Sequence, residues 1–239
     1  VGESLGLIYG YEFDGIYQVD DFYTSAATGK LILKPGITNN TRYDGGAAPG
    51  VVKYKDQNGD GKITTADRTV IGNAMPKWFG GITNSFSFKG IDFSFMLQYS
   101  YGNDVFNATR QFATGSQDQR YNMLAEVADR WSPTNASNKV PSTKGYVKGD
   151  VYSRFVEDGS FLRLKNMTLG YSLPKKWINK IHISKLRIYG TAQNLFCISG
   201  YSGYDPEVST AASNPMTPGL DWGAYPKSRV FTFGLDVQF

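Results

Sequence analysis

From Ile91 to Tyr101 the chain alternates. Ile91, Phe93, Phe95, Leu97, Tyr99 and Tyr101 are apolar or aromatic, and Asp92, Ser94, Met96, Gln98 and Ser100 lie between them. A period of two is that of a β-strand, whose successive side chains point to opposite faces. The same pattern runs through Phe231, Phe233, Leu235, Val237 and Phe239, and through Met167, Leu169, Tyr171 and Leu173. It recurs less cleanly in Leu186–Phe196, in Trp78–Phe88 and in Leu7–Phe13. The pattern predicts an all-β fold with six antiparallel strands, near 6–17, 78–89, 91–102, 160–173, 184–197 and 227–239. Most approach the roughly 9–11 residues that a tilted strand needs to cross a bilayer. A half-buried sheet in water alternates in the same way, so alternation alone leaves both environments open.

The connections separate the two. Little more than Lys89 and Gly90 joins strands two and three, and Pro174–Ile183 joins strands four and five. The other three connections, 18–77, 103–159 and 198–226, are long. Short and long alternate strictly, as in outer-membrane barrels with short periplasmic turns and long extracellular loops. Soluble domains seldom carry such loops. Strands two, four and six then run inward, and Phe239 lies at the periplasmic rim. Six strands cannot close a membrane barrel, since single-chain barrels start at about eight, and lipid does not tolerate open edges. The chain is therefore expected to be a C-terminal piece of a larger barrel. Within the loops, Asp118–Arg130 reads as a helix that stops before Trp131-Ser132-Pro133. Thr134–Asn138 and Ser209–Gly219 read as turn-rich loop. No tandem repeat or domain linker stands out.

Composition agrees. The chain has 27 glycines in 239 residues and is 15% aromatic, where about 7% glycine is usual. Glycine and aromatics serve barrels at corners and girdles. Mean hydropathy is −0.35, and no apolar run long enough for a transmembrane helix occurs. No signal peptide opens the chain, so Val1 is expected to begin a mature protein or a fragment. The formal charge of +4 comes from scattered basic residues, which argues against a nucleic-acid partner. One cysteine, Cys197, and one histidine, His182, argue against a disulfide framework, a cysteine zinc site and a Ser-His-Asp triad. Glu157 and Asp158, like Asp20 and Asp21, are adjacent and would face opposite ways on a strand, so neither pair suits glycosidase chemistry. The chain is read as a non-enzyme.

Two motifs carry candidate chemistry. Asp56, Asn58, Asp60, Lys62 and Asp67 occupy positions 1, 3, 5, 7 and 12 of an EF-hand-like loop, with Gly61 at position 6. Such oxygens suit a structural Ca²⁺, Lys62 through its carbonyl. Asp67 stands where an EF-hand has glutamate, and its shorter arm lowers the expected affinity. Tyr201, Tyr204, Trp222 and Tyr225 gather on the last long connection. They are candidates for stacking on a sugar, with loop packing or an aromatic belt as the alternative.

Several segments together carry a family resemblance. Tyr54–Gly81 (YKDQNGDGKITTADRTVIGNAMPKWFGG), Arg130–Pro133 (RWSP), Ser160–Pro174 (SFLRLKNMTLGYSLP), Leu186–Phe196 (LRIYGTAQNLF), Tyr204–Glu207 (YDPE) and Tyr225–Phe239 (YPKSRVFTFGLDVQF) occur in this order over nearly the whole chain. With them the chain resembles the C-terminal barrel segment of SusC/RagA-type TonB-dependent outer-membrane transporters of Bacteroidetes. The resemblance implies a barrel of about 22 strands with a plugged lumen, and a plug and TonB box absent from this chain. It also implies a SusD-like lipoprotein lid, coupling to TonB through that absent N-terminal part, and import of glycans or peptides. The aromatic Phe239 end resembles a barrel-insertion signal. Thr232, Asp236 and Gln238 would then face the lumen. Two other readings stay open: a passive porin-like channel, and a secreted, calcium-stabilised carbohydrate-binding β-protein.

Overall fold

In the computed structural model, residues 2–115, 121–178, 182–209 and 217–239 are described. Along the chain the strands are β1 (Leu7–Gly10), β2 (Phe13–Ile16), β3 (Phe22–Thr24), β4 (Leu31–Leu33), β5 (Val52–Tyr54), β6 (Thr69–Asn73), β7 (Trp78–Phe88), β8 (Ile91–Tyr101), β9 (Asp104–Asn107), β10 (Val156–Asp158), β11 (Phe161–Ser172), β12 (Lys185–Ser199), β13 (Leu220–Asp221) and β14 (Val230–Gln238). The helices are α1 (Ala108–Gly115) and α2 (Lys175–Ile178). The chain alternates between two compact units, one of 1–75, 104–157 and 209–223, the other of 76–103, 158–208 and 224–239.

The second unit is a five-stranded antiparallel sheet in the order β14-β12-β11-β8-β7. Its register sorts the side chains into two faces. Phe88, Ile91, Tyr171, Ile188 and Leu235 form one row across all five strands, and Phe86, Phe93, Leu169, Gly190 and Phe233 the next. On the opposite face, Ser85, Ser94, Thr168, Thr191 and Thr232 line up as a polar stripe. The apolar face is open: Phe233 is 86% exposed and Leu235 67%. A patch of this kind across a whole sheet needs lipid or protein to cover it. A bulge at Lys165 shifts the register of β11 against both neighbours and bends the strand there.

The β7–β8 turn is two residues long. Lys89 (φ 49) and Gly90 (φ 87) both take the left-handed conformation, as a type I′ hairpin requires. Glycine is needed at the second position, because a Cβ there would lie 2.7 Å from the Ser172 carbonyl oxygen. Gly170 makes room of another kind. Arg187 donates Nε and Nη2 to the Asp92 carboxylate at 2.9 and 2.5 Å. The pair crosses over Gly170, where a Cβ would sit 2.6 Å from both partners.

The first unit corrects three expectations. The predicted strand 6–17 is two short strands in different small sheets: β1 pairs with β6, and β2 with β5. Between them Tyr11 is fully buried; its N–H donates to the Val151 carbonyl and its carbonyl accepts from Ser153 N–H, both at 2.9 Å. Alternation there faces a protein core, so the long sheet has five of the six expected strands. The long connections are also more than irregular loop. They fold together with the N-terminal segment around a core that includes Tyr11, Tyr17, Val52, Tyr54, Ile63, Phe106, Tyr152 and Phe155. The helix expected over 118–130 is a 3₁₀ turn at Ala125–Asp129, with residues 118–120 outside the described set. Among the described residues, the α-helix of that connection is α1, further upstream.

Candidate functional site

The acidic loop follows β5, whose Tyr54 ring stacks on Tyr11 with centroids 4.8 Å apart. Asp56 folds back on the loop, accepting the Gly59 and Gly61 N–H groups at 2.7 and 2.8 Å. Asn58 Oδ1 accepts from Asp60 N–H at 2.9 Å, and Asp60 Oδ1 from Lys62 N–H at 2.8 Å. These are the side-chain turns that Asp and Asn favour. Desolvation opposes charge on Asp56, but the N–H groups of Gly61, Gly59, Asp60 and Asn58 outweigh it and hold the carboxyl below its usual range.

Asp67 is fully buried. It accepts from Gln57 N–H at 3.0 Å and from Thr64 N–H at 2.7 Å, capping the 3₁₀ turn Thr65–Asp67. The loop is tied down by Asn39, which donates its N–H to the Gly61 carbonyl and accepts from Ile63 N–H. The oxygen donors suit a hard cation in kind. Their oxygens face the loop's own N–H groups, and among the described residues no three Asp, Glu, His or Cys side chains converge on one point.

The aromatic residues are not one platform. Tyr201 is buried, while Tyr204 and Tyr225 are strongly exposed. Trp222 belongs to the other compact unit. It packs edge-on against Phe112 at 5.6 Å, and Phe112 in turn meets Tyr121 at 5.2 Å. Trp131 of the RWSP segment is a packing anchor. It is buried, and its indole N–H donates to Gln18 Oε1 at 2.9 Å.

The arrangement that motif reading missed lies on the polar side of the sheet. Arg163 pairs across β8 with Gln98. Its Nη2 donates to Asp205 Oδ1 at 2.5 Å, with side chains 4% and 5% exposed. Glu207 lies 3.6 Å from Arg163 Nε and 3.4 Å from Lys165 Nζ, and also pairs with Lys227 Nζ. Asp205 Oδ1 accepts the Glu207 N–H at 2.9 Å. Desolvation works against ionised Glu207, but Lys227, Lys165 and Arg163 outweigh it and keep the carboxyl below its usual range. Three of the six segments quoted above, FLRLKN, YDPE and YPKSR, thus meet in one charged cluster. Their recurrence was the available signal; the pairing was not readable from spacing.

A second network lies in the first unit. Arg110 grips Glu126 through two bonds of 2.8 Å and reaches Glu157 at 3.1 Å, while Arg154 reaches Glu126 at 3.3 Å. Phe13, Asp129 and Lys139 join Arg110, Glu126 and Arg154 around a cleft of about 320 Å³.

No protein-family model matches the chain. Single relatives do. It is 35% identical over 243 residues to TonB-dependent receptor P3 of Formosa agariphila, covering 100% of this chain and 22% of that protein. It is 32% identical over 199 residues to TonB-dependent receptor SusC of Bacteroides thetaiotaomicron, covering 82% of this chain and 18% of that protein. Among solved structures, the RagAB peptide transporter matches 98% of this chain and 23% of its own, with a TM-score of 0.68 and 24% identity. The chain spans less than a quarter of the length of these relatives. The class so defined is an outer-membrane receptor of the TonB-dependent type. Along its whole length, the chain is homologous to part of the SusC/RagA family.

Proposed function

We propose that this chain is part of an active outer-membrane importer of glycans or peptides. In this reading it contributes five membrane-crossing strands to a barrel of about 22, and its first compact unit is built largely from extracellular connections. The observation that carries the reading is the sheet's two-faced register, one open apolar face and one Ser/Thr stripe, in a chain related throughout to TonB-dependent receptors; a barrel wall between lipid and a polar lumen calls for those two faces. A SusD-like lipoprotein lid and TonB, reached through parts of the protein outside this chain, are the proposed partners. Exposed Tyr204 and Tyr225 are proposed substrate contacts. Trp222 and buried Tyr201 are weaker candidates for that role.

The test is uptake of labelled oligosaccharides and oligopeptides by cells carrying the full transporter. Active import is abolished by removing TonB or collapsing the proton-motive force. Uptake that persists under both treatments establishes the passive channel instead.

We also propose that loop 56–67 takes a structural Ca²⁺, on the strength of its donor spacing. Asp56, Asn58, Asp60, Asp67 and the Lys62 carbonyl would hold the ion, which would stiffen the loop. Calcium titration of thermal stability tests this.

A further inference from the structure

Two short connections of the five-stranded sheet lie side by side. The Ser172 N–H donates to the Gly90 carbonyl at 2.7 Å, which places the end of β11 against the β7–β8 turn. Lys89 stands on that turn, and its Nζ lies 5.1 Å from the Phe88 ring centre. The β11–β12 connection carries Lys175, Lys176 and Trp177, all exposed, with Trp177 65% open to solvent. Ile178 beside them is buried and seats the helix α2. Among the described residues none of Lys89, Lys175 or Lys176 makes a salt bridge.

Two neighbouring cations among the described residues are already paired. Arg187 is bound to Asp92, and Lys185 lies 3.7 Å from Asp236. Among the described residues this leaves the ammonium groups of Lys89, Lys175 and Lys176 without a carboxylate partner, near two exposed aromatic residues, Phe88 and Trp177. Aromatic rings settle where apolar chains meet headgroups, and lysines just beyond that boundary draw anionic lipid. The cationic groups sit at the end of the sheet, next to the last apolar row, Phe88–Ile91–Tyr171–Ile188–Leu235. That is the depth at which phosphates would lie if the apolar face meets acyl chains.

We propose that Lys89, Lys175, Lys176 and Trp177 form a docking surface for anionic phospholipid headgroups at the short-turn side of the membrane. The surface selects lipid by charge and fixes the depth of the sheet through Trp177. The proposal rests on the membrane-spanning reading of the sheet and adds a lipid preference to it.

The test uses the full transporter in nanodiscs that mix phosphatidylethanolamine with phosphatidylglycerol. Spin-labelled versions of both lipids report their relative affinity for the protein boundary. The expected result is a several-fold preference for phosphatidylglycerol that falls with added salt and is unchanged by millimolar inorganic phosphate. Replacing all three lysines (Lys89→Gln, Lys175→Gln, Lys176→Gln) should bring this several-fold preference close to unity, since lysines near the membrane surface are what draw anionic lipid. The matching triple replacement by arginine should retain it, which separates loss of charge from loss of fold. A wild-type protein with equal affinity for both lipids overturns the proposal, as does a preference that survives the glutamine variant. Competition by free phosphate would show an anion pocket instead and also overturns it. A protein that enters no nanodisc refutes the membrane-spanning reading itself, an outcome distinct from these.

Discussion

Arg163 and Asp205 are 42 residues apart in the chain and 2.5 Å apart in space, and both are almost fully enclosed. The pair fixes the connection after β12 to the polar side of β11. Breaking a buried pair on one side leaves an uncompensated charge and typically costs about 3–5 kcal/mol. Asp205→Ala should therefore strongly lower the stability of the folded barrel in denaturant titrations read by its gel mobility. The double variant Arg163→Met/Asp205→Leu should lose less than Asp205→Ala alone. Equal stability of wild type and Asp205→Ala would show that the pair is not closed in the native protein.

Gly170 lies beneath the Arg187–Asp92 pair. Gly170→Val has to displace that pair or the strand, and overpacking of this kind costs about 1–3 kcal/mol. The same replacement in an Asp92→Ala background should cost less, because half of the obstruction is gone. A thermodynamic cycle over the two sites measures the difference.

The β7–β8 hairpin depends on Gly90. Gly90→Ala meets both a positive φ and the Ser172 carbonyl at 2.7 Å. It should destabilise by more than the roughly 0.4–1 kcal/mol that Gly→Ala gains at a compatible site. Hydrogen exchange at Ser172, whose N–H binds Gly90, should accelerate selectively.

Acid should loosen the first unit before base does. The Arg110 hydrogen bonds, working against desolvation, hold Glu126 below the usual carboxylate range, with Arg154 assisting. Its folded value thus lies under its unfolded one of about 4.3. The stability it supplies is complete above that pH and is lost as pH falls through the lower folded value. Glu126→Gln should lower stability at neutral pH and flatten the acid limb of the stability curve. An unchanged acid limb would remove Glu126 from the explanation.

If loop 56–67 takes calcium, millimolar Ca²⁺ should raise the unfolding temperature of the protein, and Asp60→Ala should abolish the rise. Asp60 is the better probe because it accepts one backbone N–H of the loop, that of Lys62, where Asp56 and Asp67 each accept two. A wild-type protein indifferent to Ca²⁺ and to chelator leaves these carboxylates as turn-formers.

The five long strands were legible because two faces in different surroundings impose a period of two on every residue. The Leu7–Phe13 segment shows the same period for another reason. Its apolar side is covered by Tyr54, Tyr152 and their neighbours rather than left open. Alternation reports that two faces differ, not what covers them. The fold of the long connections was not legible, since their core is assembled from segments more than a hundred residues apart. Tyr11 touching Val151 and Gln18 touching Trp131 are examples. The turns of the acidic loop follow from local sequence, because its Asp and Asn side chains accept N–H groups two to five residues on. The Arg163 cluster was visible only as separate motifs, because charge pairing across 42 residues leaves no periodic trace.

The central claim is that this chain belongs to a much longer outer-membrane importer. The most direct measurement is the denaturing intact mass of the detergent-extracted protein that carries this sequence. The account predicts a mass several times 26.4 kDa, in the outer-membrane fraction. A 26.4 kDa chain recovered alone, soluble without detergent, would contradict it and return the sequence to a secreted β-protein.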